Sequence, residues 1–232
     1  MTLSISCSIH RRAAARAERG TTLLEVTLSL VLFTTFAGSI FMAVDASAGS
    51  YGTEATAARL DADARRAMNV LTGYLREADF ASVTPVGIVA PASSTWLDFQ
   101  RPQGFQNGAV VWGPTERLAF ESDPSDPENG ADDDGDGLID EGRVVWIEDA
   151  ALGAGLRLVV CSDVPAALAG EVLGNNQDDN GNGLIDERGF CVQFAGSRLI
   201  TRLTVEEADQ DGNVIRRSAE RSTTPRNTPE ED

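Results

Sequence analysis

Apolar residues are spread unevenly along this chain, and the unevenness predicts its parts. From Val26 to Val44, nineteen residues pass without one charged side chain. At about 1.5 Å per residue, a helix of that length reaches roughly 28 Å, close to the hydrocarbon thickness of a bilayer. From Asp45 to about Ala81 the apolar positions thin to a stripe of Leu60, Ala64, Ala67, Leu71, Leu75 and Ala78 at three- and four-residue steps. Arg59, Asp61, Asp63, Arg65, Arg66, Arg76 and Glu77 fall largely on other faces. This is the pattern of an amphipathic helix with one buried face. Gly49, Ser50 and Gly52 are softening points between the two halves.

After Pro85 the period changes to short apolar or alternating runs. They span Gly87 to Ala90, Trp96 to Gln100, Ala109 to Trp112, Arg117 to Glu121, Arg143 to Glu148, Leu156 to Cys161, Phe190 to Phe194, Arg198 to Glu206 and Val214 to Arg217. Each predicts a strand. Turn signals separate them, notably Asn107-Gly108 and Asp211-Gly212-Asn213, the second of which makes the last two runs a hairpin. The expected fold class is α+β, a long N-terminal helix on a mainly antiparallel β-sheet. The tail from Thr223 to Asp232, with Pro225, Pro229 and an acidic end, is expected to be disordered.

Charge adds direction to this outline. The chain carries a net charge of -17, but Met1–Gly20 holds Arg11, Arg12, Arg16 and Arg19 against Glu18, so the leader is +3 and the rest is -20. A body that acidic repels phosphates, which excludes nucleic acid as a partner and favours multivalent cations. The leader arginines place the N-terminus in the cytoplasm and everything after Val44 outside, by the positive-inside rule. A secretory signal would end in a small-residue cleavage site after its apolar region, whereas the polar break here precedes that region. Glu25 lies just inside the apolar run, where an ionised carboxylate costs about 2 to 3 kcal/mol unless a partner meets it.

The run Gly20-Thr21-Thr22-Leu23-Leu24-Glu25 resembles the processing motif of the type IV pilin-like family. The resemblance implies cleavage after Gly20 by prepilin peptidase, methylation of Thr21 as the new N-terminus, and an assembly role for Glu25. In assembly, Glu25 would meet the amine of a neighbouring subunit in the apolar filament core. Thr21 departs from the Phe or Met usual at that first position. The length, the helix end Leu75-Arg76-Glu77-Ala78 and the terminal hairpin are similar to the larger minor subunits, either J-type pseudopilins of type II secretion or W-type minor pilins. The expected domains are a leader at 1–20, a transmembrane half-helix at 21–44, an extramembrane half at 45–81, a β-rich domain at 82–222, and the tail at 223–232. The implied location is the inner membrane, single-pass, with a periplasmic body, then the pilus or pseudopilus. The implied partners are other pilin or pseudopilin subunits through the N-terminal helix, prepilin peptidase, and membrane lipid before assembly.

Within the body, Asn129–Glu141 recurs 46 residues later as Asn175–Glu187, with Gly-Leu-Ile-Asp-Glu identical in both copies. Oxygen side chains alternate at the first, third and fifth loop positions, followed by glycine at the sixth, as an EF-hand-like calcium loop requires. The candidate ligands are Asp132, Asp134, Asp136, Leu138 through its carbonyl, Asp140 and Glu141 in the first copy. In the second they are Asp178, Asn180, Asn182, Leu184, Asp186 and Glu187. Position twelve is Arg143 or Gly189, so the usual bidentate Glu is missing there; Glu141 and Glu187, or another segment, are its substitutes. The repeats also resemble an extracellular bacterial metal-binding motif in which a cysteine stands where Gly135 and Gly181 stand here. A single Asp/Asn/Gly run is ordinarily a solvated turn, and the duplication argues against that reading. The expectation is two calcium sites that stabilise the body.

Cys7 lies in the leader, leaving Cys161 and Cys191, for which the export reading favours a disulfide over two buried free thiols. The sole histidine, His10, is also in the leader, so the processed chain lacks an imidazole for Ser-His or Cys-His chemistry or for zinc. The chain is therefore expected to be a structural subunit and not an enzyme. The alternatives are an adhesive binding module borne on a filament or membrane anchor and, behind it, a membrane-tethered hydrolase.

Overall fold

The computed structural model describes residues 22–153 and 155–226. Thr22 starts the first helix. Its carbonyl accepts the N–H of Glu25 at 2.9 Å and its hydroxyl oxygen lies 3.3 Å from the same nitrogen, the contacts of an N-cap residue followed three positions later by Glu. The helix, α1, runs unbroken over Leu23–Glu77, with Glu25 in its first turn and Arg76 in its last, each of the sign the helix dipole favours there.

The chain divides into two compact units between Ala48 and Gly49. In the first, every described residue is exposed, including Leu32, Phe33, Phe36 and Phe41. A helix apolar on all sides suits lipid and not a water-facing surface. Among the described residues α1 is the one helix long and apolar enough to cross a membrane.

In the second unit, the remainder of α1 buries Leu60, Ala64, Ala67, Met68, Leu71 and Leu75, and Ala78 is buried just past its end. This is the stripe expected from spacing, with Met68 added. Asp79 caps a short 3-10 turn, Phe80–Ser82, its carboxylate accepting the N–H of Ala81. The strands are β1 (Trp96–Gln106), β2 (Ala109–Ser122), β3 (Glu141–Ile147), β4 (Arg157–Pro165), β5 (Phe190–Ala195), β6 (Arg198–Ala208) and β7 (Val214–Thr223). They form two antiparallel sheets where one was expected, ordered β1-β2-β3-β4 and β5-β6-β7. Phe99, Leu118 and Val144 from the first sheet and Phe190, Leu199 and Leu203 from the second share one core with Leu71 and Leu75.

Two runs predicted as separate strands, Ala109 to Trp112 and Arg117 to Glu121, are one strand, β2, because β1 continues opposite it through register shifts on either side of Pro102. The hairpin turns at Asn107-Gly108 with φ of 51° and 81°, the left-handed pair that matches strand twist. Gly87 to Ala90 is not a strand. Pro85 and Pro91 flank it without N–H donors, and its link to the sheets is the Ile88 carbonyl accepting from Phe194.

A buried carboxylate fastens the helix to the first sheet. Both oxygens of Glu116 lie 2.9 Å from Arg101 Nε, and Trp146 Nε1 donates to Oε2 at 2.6 Å. Trp146 stacks on Tyr74 of α1 with ring centroids 5.5 Å apart, and the Arg101 guanidinium sits 4.8 Å from the Tyr74 centroid. At the far end of the chain, Thr223 is buried and Arg226 N–H donates to the Arg76 carbonyl, so the stretch 223–226 is held against α1; the rest of the tail lies outside the described residues.

Candidate metal centre

The first acidic repeat forms the connection from β2 to β3 and the second the connection from β4 to β5. Their hydrogen bonds match position for position. Asp132 accepts the N–H groups of Gly135 at 2.6 Å and Gly137 at 3.0 Å; Asp178 accepts those of Gly181 at 2.7 Å and Gly183 at 2.8 Å. Asp134 accepts from Asp136 N and Asp136 from Leu138 N, as Asn180 accepts from Asn182 N and Asn182 from Leu184 N. The coil is possible because Gly137 and Gly183 sit at φ of 91° and 89°, a conformation that side chains with Cβ rarely adopt. Leu138 and Leu184 each turn inward and are almost wholly buried, which anchors both coils to the body.

In the first loop this winding brings carboxylate oxygens of Asp132, Asp134 and Asp136 within 4.8 Å of one another, all exposed. Asp140 and Asp186, expected among the ligands, accept hydrogen bonds from the starts of their own loops. Asp140 accepts from the backbone of Asn129 at 2.7 Å and Gly130 at 2.8 Å, and Asp186 from Asn175 and Asn176, both at 3.1 Å. These two residues sit at φ of 54° and 50° and close each loop onto its own start.

Glu141 and Glu187 follow directly and are 4% and 0% exposed, and each has one oxygen, Oε2, with no hydrogen-bond partner. An unmatched buried oxygen costs about 1 to 3 kcal/mol, and more on a charged group. Glu187 turns its other oxygen toward the second loop, accepting from Asn180 Nδ2 at 2.8 Å and from Asn182 Nδ2. Glu141 has no such donors. Burial, and next its hydrogen bond to Asp126, push its pKa up to about 8, with the charge of Asp136 acting in the same direction. The three convergent carboxylates of Asp132, Asp134 and Asp136 form an all-oxygen donor set suited to a hard divalent cation.

Two further carboxylates belong to these loops. Asp126 is enclosed and accepts from Asp133 N at 2.8 Å and Glu141 N at 3.4 Å; the first of these holds its pKa below the usual carboxylate range. Glu171 accepts from Asp186 N at 3.0 Å and Asn180 N at 3.3 Å. Both precede the repeated segment, and they differ in type and in distance from it, so aligning the repeats does not reveal them. Glu171 stands alone as an acid just upstream of its copy, whereas Asp126 is one of several acids, with Asp123 and Glu128, before the first.

Cys161 and Cys191 are free thiols, not the expected disulfide. Cys161 on β4 faces a groove beside Leu60 and Asp63 of α1. Cys191 on β5 lies on the opposite side from its core neighbours Phe190 and Val192, near Ser93 and Arg202. The two strands belong to different sheets, and Cys161 packs against the shared core whereas Cys191 is buried outside it. Burial pushes Cys161 up to about 12 and Cys191 up to about 11. In the groove beside Cys161, Asp63, Glu206 and Glu207 are paired with Arg66, Arg216 and Arg59. Gly20 and Thr21 lie outside the described residues, and Glu25 is exposed in the first turn of α1.

No family model matches the chain, and neither a curated protein nor a solved structure matches it.

Proposed function

We propose that the chain is a minor subunit of a type IV pilin-like filament, a minor pilin or pseudopilin, anchored in the membrane by the first half of α1. Its periplasmic body would be stabilised by calcium in the two acidic loops. The observation that carries this reading is the division of α1. Up to Ala48 it is exposed and, from Val26 to Val44, free of charge, and beyond Gly49 it buries a single stripe against antiparallel sheets. The first part needs lipid or the helices of neighbouring subunits, and the second needs only its own body. Calcium is the hard cation chosen because the donors are all oxygen and because extracellular sites of this kind fill in about the 0.1 to 1 mM range.

Intact-mass analysis of protein extracted from membranes tests the filament reading. The expected product begins at a methylated Thr21, and Glu25→Ala is expected to leave insertion intact while reducing co-purification with other subunits. A leader still attached in cells with active prepilin peptidase would remove the reading, and equal co-purification of Glu25→Ala would remove the assembly role.

A further inference from the structure

The repeats are separated in the chain, yet the residues that flank them meet. Glu128 precedes the first loop and Arg188 follows the second, and they form a two-pronged ion pair, Nη1 to Oε1 at 2.6 Å and Nη2 to Oε2 at 3.0 Å. Ser122 Oγ also donates to Glu128 Oε1, and the Arg188 guanidinium lies 5.0 Å from the Phe120 ring centroid. The hydrogen bond from Arg188 holds the Glu128 carboxyl below its ordinary range. Phe120 occupies its place because residue 142 is glycine: a Cβ there would stand 2.5 Å from the ring and 2.4 Å from the Glu121 carbonyl oxygen.

The duplication did not supply this pair. The second-loop counterpart of Glu128 is Gly174, and the first-loop counterpart of Arg188 is Gly142. The contact uses one charged residue from each flank at positions where the copies differ. A backbone bridge runs beside it. Ala166 N–H donates to the Asp140 carbonyl at 3.1 Å and Gly189 N–H to the Pro165 carbonyl at 2.9 Å, so the end of β4 touches the end of both loops. Glu141 is paired with Pro165 in the sheet, and a Cβ on Gly189 would lie 2.7 Å from the Pro165 ring.

We propose that the Glu128–Arg188 clasp and the bridge through Pro165 and Ala166 couple the two loops into one cooperative pair of divalent-cation sites. This rests on the reading that the loops hold calcium. A cation on the spare oxygen of Glu187 fixes the residue next to Arg188. Arg188 holds Glu128 through two parallel bonds whose geometry is planar and directional. Glu128 adjoins Asn129, whose N–H closes the first loop on Asp140. Ordering one loop therefore lowers the cost of ordering the other, and the effect is reciprocal. Two cations in neighbouring loops repel, so a coupling carried by charge alone would have the opposite sign.

Calorimetric titration of the full chain in detergent with calcium chloride tests this. Asp132→Asn with Asp134→Asn disables the first loop and is expected to weaken calcium binding at the second by about fivefold or more, and Asp178→Ala is expected to do the same to the first. Glu128→Gln with Arg188→Gln is expected to remove the mutual effect, and the exchanged pair Glu128→Arg with Arg188→Glu to restore it at unchanged net charge. Arg188→Lys keeps the charge and loses the fork, so it is expected to reduce the coupling without unfolding the chain. Two independent calcium sites in the wild type, or coupling undiminished in Arg188→Lys, would overturn the clasp and leave the calcium reading standing. Absence of any calcium heat would overturn both.

Discussion

At matched positions the first loop carries Asp134 and Asp136 and the second carries Asn180 and Asn182, on backbones wound by the same hydrogen bonds. The amide loop brings its own donors: Asn180 and Asn182 give their side-chain N–H groups to the buried Glu187. The carboxylate loop brings none, and its buried Glu141 is pushed toward the protonated form beside Asp126. One scaffold therefore holds either strong attraction for a cation or partial self-satisfaction. Because the two windings are alike, the expectation is that charge density, and not loop shape, sets any difference in cation affinity.

The largest expected effect asks whether the scaffold is truly common to both loops. Leu138→Ala and Leu184→Ala should each cost about 2 to 5 kcal/mol, by similar amounts, because each removes a buried anchor at the same place. Urea unfolding of both variants under chelator measures this. A large cost for one and none for the other would mean that the loops are not mechanically equivalent.

Calcium removal comes next. With calcium at about a hundred times Kd, each site contributes about 2.7 kcal/mol, so EGTA should lower the melting temperature by roughly 5 to 10 °C per site. An unchanged melting curve would reduce both loops to acidic turns.

Exchanging the chemistry sharpens the comparison further. Asn180→Asp with Asn182→Asp should tighten calcium at the second loop by about tenfold. The same pair should destabilise the chelated protein by about 1.5 to 3 kcal/mol for each lost hydrogen bond to Glu187. Asp134→Asn with Asp136→Asn should weaken the first loop and relieve repulsion there. Calorimetry and melting under EGTA measure the two halves, and calcium affinities unchanged by the exchange would break the charge-density account.

The smallest effect concerns the thiols. Their folded pKa values, about 12 for Cys161 and about 11 for Cys191, exceed the ordinary 9.0, so the unfolded chain releases those protons first as pH rises. The associated stability is complete below about pH 9 and declines as pH climbs toward the folded values. Denaturation midpoints near neutrality and at about pH 10 should diverge less in Cys161→Ala with Cys191→Ala than in the wild type. Equal divergence would show that the thiols are not the titrating groups.

Local pattern was enough to read the apolar span, the helical stripe from Leu60 to Ala78, the hairpin turns and the duplicated loops, because each depends on residues a few positions apart. The α+β class followed from the change of period after Pro85. Contacts between distant residues were not readable. Leu118 and Leu203 belong to separate sheets that share a core, and nothing in a strand's own alternation says which sheet it will join. The same limit explains the cysteines, whose export context pointed to a bond while the strands that carry them belong to different sheets and leave both thiols free. It also explains the loops. Sequence named Asp132, Asp134 and Asp136, and folding decided that Asp140 and Asp186 close the loops, that Glu141 and Glu187 are buried with a spare oxygen, and that Asp126 and Glu171 support them. The pairing of Glu128 with Arg188 across 60 residues is of the same kind, because a side chain's partner is set by where β3, β4 and β5 come to lie and not by its neighbours in the chain.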